Sequence, residues 1–204
     1  MREMSNAVLF DLAGDTLVVT FARPAMRSPL SVAVVEVVQQ KLDELNSRTG
    51  DAIERVIFTG QEDCFASGAD LREIAALSEH EAREFGLRGQ RLMNTIAALS
   101  QITIAAINGF CFGGALDLAL ACDRRVASPD AVFSHPGAQL GIMTGWGGTQ
   151  RLPRLIGEAA TLEMFFTAGR VDAREALRIG LIDEVDPDPL DSALRTARSA
   201  GLAI

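Results

Sequence analysis

The sequence predicts an α/β fold, and three observations carry that expectation. Short runs of β-branched and apolar residues alternate with longer stretches of helical spacing, as in parallel strands joined by helical crossovers. Two of the strand-to-helix junctions, "FASGAD" and "GFCFGGALD", hold glycines where the chain must turn sharply. The 204 residues, 48% hydrophobic and 23% charged, suffice for one domain with a substantial core, and the chain shows no internal repeat or low-complexity linker.

The elements follow in order. "TLVVTFA", Thr16 to Ala22, is a β-branched run suited to a strand. "SVAVVEVVQQKLDELNSR" then places Val34, Val37, Val38, Leu42 and Leu45 at helical spacing, with Ser31 as N-cap. "RVIFTG", Arg55 to Gly60, reads as a short buried strand, followed by the loop "QEDCFASGAD" and a helical stretch from Leu71 to Leu99 that breaks near Ser78. "ITIAAING", Ile102 to Gly109, is the next strand and "GGALDLALACD" the next helix. In the remaining part "RVASPDAVFS" reads as one strand, "GGTQRLPRLIG" and "EAATLEMFFTAG" as helices, and "DAREALRIGLIDEV" as a helix with a closing strand. From Asp186 onward turn residues lead into one short helix, which divides the chain into a core of residues 1–186 and a tail of 187–204.

The formal charge of −8 sets the protein against nucleic acid and anionic membrane, so an anionic ligand must be met by local arginine or by oriented backbone amides. Lys41 is the only lysine, which argues against Schiff-base chemistry. Cys64, Cys111 and Cys122 are odd in number and lack metal-ligand spacing, so no metal site is expected and a reduced, cytoplasmic compartment fits. The start "MREMSNAVLF" lacks the apolar centre of a signal peptide, and the apolar runs are too short to span a membrane.

Chemistry concentrates in the two glycine-bearing loops. In each, a strand ends, glycine permits an unusual backbone angle, and a helix begins with free N–H groups. Two such helix starts beside neighbouring parallel strands can converge on one oxygen as an oxyanion hole. Taken singly, such glycines also serve merely to turn the chain. No G-x-G-x-x-G, G-x-S-x-G or Walker A pattern is present, which argues against dinucleotide, serine-hydrolase and nucleotide-triphosphate readings.

"FARP", "CFASGADLREI", "AAINGFCFGGALDLALACDRRVAS", "FSHPGAQLGIMTGWGGTQRLPRLIG" and "AREALRIGLIDEV" resemble, in order, the enoyl-CoA hydratase/isomerase family of the crotonase superfamily, over residues 8 to 186. The resemblance implies a spiral of ββα units that binds an acyl-CoA thioester and stabilises its enolate. It implies that the amides of Ala69 and Gly114 hold the thioester oxygen. Backbone around Ser67, Gly68, Asp70 and Leu71, with Gly113, would line the pantetheine and adenine pocket. The segment from Ala25 to Pro29 would border the nucleotide end, with Arg27 set for its phosphates. Coenzyme A is then part of the substrate and no separate cofactor is needed. The family also implies a homo-oligomer, a trimer or hexamer, although the C-terminal helices that build it are short or missing here.

The pattern departs from family hydratases at their two glutamates. The first position falls on Asp117, a carboxylate one methylene shorter, and the second on Gly137, which has no side chain. Asp117 in an apolar helix should be a weakened acid through desolvation, partly offset by the helix N-terminus, and is the leading acid–base candidate. It would equally serve as a brace for the turn. His135, two residues before Gly137, would share a face with it in an extended segment and offers a replacement acid–base group, or a structural one. Asp70 reads first as a helix cap, Asp123 points to another side of its helix than Asp117, and Trp146 would wall the acyl pocket or simply pack. The expected function is a hydratase or isomerase. A decarboxylase or thioester hydrolase of the same fold is the alternative, and a non-catalytic acyl-CoA-binding or assembly subunit is the rival.

Overall fold

The computed structural model describes residues 7–47 and 53–199. The expected end of the first helix at Arg48, the start of the chain through residue 6 and residues 200–204 of the tail lie outside that range.

The chain opens on a hairpin, β1 (Val8–Ala13) and β2 (Thr16–Phe21), followed by α1 (Val32–Ser47). Thereafter a strand of one sheet repeatedly leads to a short strand of a second sheet and then to a helix. The first such unit is β3 (Arg55–Gly60), β4 (Cys64–Ala66), α2 (Leu71–Ala75) and α3 (Glu79–Ala97). The second is β5 (Ile102–Ile107), β6 (Phe110–Phe112) and α4 (Gly114–Ala121). The third is β7 (Arg124–Ala127) and β8 (Val132–Ser134) with α5 (Gly137–Leu140), α6 (Gly148–Ile156) and α7 (Glu158–Thr167). β9 (Val171–Asp172), α8 (Ala173–Arg178), β10 (Glu184–Val185) and α9 (Pro189–Ser199) follow. The strands order as β1-β2-β3-β5-β7-β10 in the larger sheet and β4-β6-β8-β9 in the smaller. Pairing is parallel except for β1 with β2 and β8 with β9. This is the expected α/β spiral of ββα units.

The strands β3, β5 and β7 of the larger sheet each serve two cores, because alternate residues point to opposite faces. Val56 and Phe58 of β3 join the main core with Phe21, Phe65, Leu92 and Met93. Ile57, between them, faces the other way and packs with Ile104, Ala106, Val126 and Ala193. Ala193 belongs to α9, so the helix that the sequence reading set apart as a tail covers the second face of the sheet. The break expected near Ser78 is the start of α3, where Ser78 and Glu81 form a reciprocal capping box.

Two strand expectations are corrected. "RVASPDAVFS" is not one strand but two, β7 and β8, in different sheets, because a turn closed by the Ala131 N–H on the Ser128 carbonyl at 3.0 Å redirects the chain. β4 and β6 lie hidden in what read as a loop and a strand end. Three residues are too few to display alternation. The switch between sheets needs close backbone approach at Gly109, where any side chain would run into the Asp63 backbone. Among the described residues no helix is long and apolar enough to cross a membrane.

Candidate active site

Neighbouring strand ends of the smaller sheet bring the two glycine loops together. After β4 the chain passes Ser67, Gly68 at φ +88° and Ala69 to Asp70, whose side chain accepts the Arg72 N–H and caps α2. After β6 it passes Gly113 at φ +53° into Gly114, the first residue of α4. The loops touch backbone to backbone: a Cβ on Gly68 would lie 2.7 Å from the Gly114 nitrogen, and one on Gly114 would lie 3.4 Å from the Ala69 nitrogen. Only glycine permits that approach together with the left-handed backbone at residue 68. Hydrogen bonds from Leu30 N–H to the Gly68 carbonyl (2.8 Å) and from Gly113 N–H to the Ser134 carbonyl (2.9 Å) fix both turns. Among the described residues neither the Ala69 nor the Gly114 N–H donates to a protein acceptor.

Ala69 and Gly114 line a cavity of about 300 Å³. Ser67, Leu71 and Gly113 line it beside them, and Asp117, His135, Gly137 and Trp146 complete the predicted residues found there. Gly68, Asp70, Arg27 and Pro29 are not among its lining. Gly68 supplies the turn and Asp70 the cap. Arg27 pairs with Asp63 at 2.7 Å and lies over the Phe110 ring at 4.8 Å. Pro29 stands beside the Leu30 link to Gly68.

Asp117 is fully buried on the first turn of α4. Burial pushes its carboxyl up to about 7. The Thr144 hydroxyl, the positive charge of Arg151 and the amides of Trp146 and Gly148 hold it from going higher. The offset therefore comes chiefly from a loop remote in sequence. Thr144 donates its hydroxyl to Oδ2, whereas Oδ1 has no hydrogen-bond partner. Oδ1 instead faces the Nε2 of His135 at 3.5 Å, and that nitrogen also lacks a partner. Desolvation lowers the buried imidazole to about 4, so His135 is neutral at pH 7 and the two groups form no ion pair there. Its ring packs edge-on against Phe165, centroids 5.0 Å apart.

The expectation that His135 and Gly137 share a face of an extended segment is corrected: β8 ends at Ser134, and Gly137 opens α5. Position 137 is also closed sterically. The Ile142 N–H donates to the Gly137 carbonyl at 3.0 Å, and a Cβ at 137 would run into the Ile142 carbonyl oxygen. Trp146 is 3% exposed and its ring fills the space beside Gly114, where a Cβ would come within 2.6 Å of it. The ring also meets Phe85, centroids 5.4 Å apart.

Thr144, Arg151 and Phe165 were missed from the sequence. The available signal was one hydroxyl, in "IMTGWGG", between apolar and glycine residues, with nothing to say which carboxylate it would meet. Among the described residues no three His, Cys, Asp or Glu side chains gather as a metal site.

Known proteins resemble this chain in sequence and in fold. Residues 13–202 match the family model described as enoyl-CoA hydratase/isomerase. A short-chain-enoyl-CoA hydratase of Clostridium acetobutylicum is 38% identical over 181 residues, covering 88% of this chain and 69% of that protein. A crotonyl-CoA hydratase of Syntrophomonas wolfei is 47% identical over 135 residues, 66% of this chain and 52% of that protein. The solved enoyl-CoA hydratase of Bacillus anthracis superposes with a TM-score of 0.90 at 34% identity, over 96% of this chain and 76% of that one.

Proposed function

The chain belongs to the enoyl-CoA hydratase/isomerase family, and from that premise we propose that it acts on an acyl-CoA thioester, with the carbonyl oxygen received by the Ala69 and Gly114 amides and the proton moved by Asp117. The observation that carries this reading is a buried carboxyl, raised to about 7, in the same cavity as two unengaged amides. Such a group is present in both protonation states near neutral pH, as an acid–base catalyst requires. As carboxylate it takes a proton from carbon next to the thioester carbonyl. The electron pair left behind moves onto the carbonyl oxygen, where fixed amide dipoles meet it without reorganisation. The protonated Asp117 then returns the proton to another carbon, which shifts the double bond. For hydration the same carboxylate would take a proton from water as the oxygen bonds to the β-carbon, then deliver that proton to the α-carbon.

Both reactions need only one group acting first as base and then as acid. The relatives named as hydratases support hydration. The closed turn at Gly137 removes the second carboxylate and favours a second reading, decarboxylation or hydrolysis of a thioester at the same oxyanion site. The reading also takes Arg27 and the backbone around Ser67 to Leu71 as contacts for the coenzyme A part of the substrate, needs no further cofactor, and places the protein in the cytoplasm as a homo-oligomer.

Deuterium exchange at the α-carbon of a saturated acyl-CoA tests enolate formation without choosing a product. Exchange catalysed by the wild type is the expected result. Its absence, with crotonyl-CoA, a 3-enoyl-CoA and a malonyl-type CoA bound but unchanged, would leave a non-catalytic acyl-CoA-binding subunit.

A further inference from the structure

We propose that Thr144 is the positioning residue of this site: its hydroxyl fixes Asp117 through Oδ2 and so presents Oδ1 to the His135 imidazole and the cavity. The inference rests on the reading of Asp117 given above, and it adds a residue from a distant loop. The observations are geometric. Thr144 lines the same cavity as Asp117 and donates to only one of its oxygens. The other oxygen and the facing Nε2 are both buried without partners, 3.5 Å apart. A carboxylate free to rotate about its Cβ–Cγ bond would exchange its two oxygens, whereas a hydroxyl bonded to one of them stops that rotation. A hydroxyl holding a carboxylate that faces an imidazole follows the logic of an acid–base pair oriented by a third group.

The packing around the contact is committed to it. A Cβ at Gly148 would run into Asp117 Oδ1 and lie 2.8 Å from the Thr144 methyl, so the glycine-rich loop leaves its space to these two side chains. Thr144 precedes Gly145, Trp146 and Gly147, and Trp146 is wedged beside Gly114 of the proposed oxyanion site. One short loop thus touches Asp117 and packs beside Gly114.

The other titratable groups near Asp117 are His135 at the end of β8, Arg151 on α6 and Cys111 on β6. Removing the Thr144 hydroxyl takes a donor from the charged form of Asp117 while leaving those groups in place, so the carboxyl should become a weaker acid.

The chain has two histidines, and His80, on α3, is not among the residues lining the cavity, so the imidazole NMR signals of His135 can be followed through a pH titration as a reporter of Asp117. In wild type the His135 signals should shift with a midpoint near the Asp117 value of about 7. Thr144→Val should move that midpoint upward by about one pH unit, a tenfold weaker acid, and Thr144→Ser should return it towards wild type. The rate of α-proton exchange should fall roughly tenfold or more in Thr144→Val with acyl-CoA affinity held, and its pH profile should move with the NMR midpoint. An unmoved midpoint in Thr144→Val, or a shift that Thr144→Ser shares in full, would overturn the proposal. A shifted midpoint in a protein whose wild type exchanges no α-protons would keep Thr144 as the orienting group and sink the enzymatic reading instead.

Discussion

Each end of α4 meets a buried ionisable side chain, Arg125 at one and Asp117 at the other, and the two are in opposite states. At its C-terminal end Arg125 donates to the carbonyls of Ala119 and Cys122, where the helix runs out of its own donors, and to that of Leu181. Asp183 receives both the Arg125 side chain (3.3 Å) and its backbone N–H (2.7 Å). Nearby, Asp123 accepts the Thr103 hydroxyl at 2.9 Å and the Thr103 N–H at 2.8 Å. At the N-terminal end Asp117 has one oxygen unbonded, His135 faces it unbonded, and the Trp146 indole nitrogen is also without a partner. A buried polar group left unsatisfied costs stability, so the saturated end reads as fold and the unsaturated end as function. Burial alone does not separate them. The difference lies in what each group has been given to bond.

Four experiments probe this contrast, and the strongest response is expected at the unsaturated end. Asp117→Asn should lower turnover by about 10²–10⁴-fold with acyl-CoA binding largely kept, as steady-state rates and direct binding would show. Turnover equal to wild type would remove Asp117 from the mechanism. At the saturated end Arg125→Met should cost roughly 3–5 kcal/mol in denaturant unfolding, since it takes the guanidinium from the carbonyls of Ala119, Cys122 and Leu181, and a buried acceptor left short of donors costs about 1–3 kcal/mol. A loss below about 1 kcal/mol would mean that water satisfies those groups as well as the guanidinium does.

The third test uses pH. Because the folded state raises the Asp117 carboxyl from 3.8 to about 7, it binds this proton more tightly than the unfolded chain does. The resulting stabilisation is full below the unfolded value and is lost as pH rises through about 7. Asp117→Asn should therefore exceed wild type in stability at pH 8 by up to roughly 4 kcal/mol, with the gap closing towards pH 4. A pH-independent gap would assign the effect to packing. The smallest effect is expected from Thr103→Val, which removes one hydroxyl from the Asp123 pair and should cost about 1 kcal/mol without altering turnover, measured by thermal unfolding and rate together.

Long elements were legible in the sequence because periodicity accumulates over many residues. β3 runs from Arg55 to Gly60 as expected, and α1 buries Val34, Val38, Leu42 and Leu45. The three-residue strands β4 and β6 were not, since alternation needs more residues than they have. Nor was the division of "RVASPDAVFS" between two sheets, because both halves are apolar and the turn between them is short.

The α/β alternation, the two glycine junctions, the carboxylate at 117 and the missing side chain at 137 are all present in the order of the amino acids. Each depends on residue type and local spacing. Folding adds that the two junctions touch, that Thr144 and His135 face opposite oxygens of Asp117, and that the turn at Gly137 is closed. The turn at Gly137 closes on Ile142 five positions on, whereas the other contacts join segments separated by 18 to 46 positions in the sequence. Only the stacking of successive ββα units brings such segments within hydrogen-bonding distance.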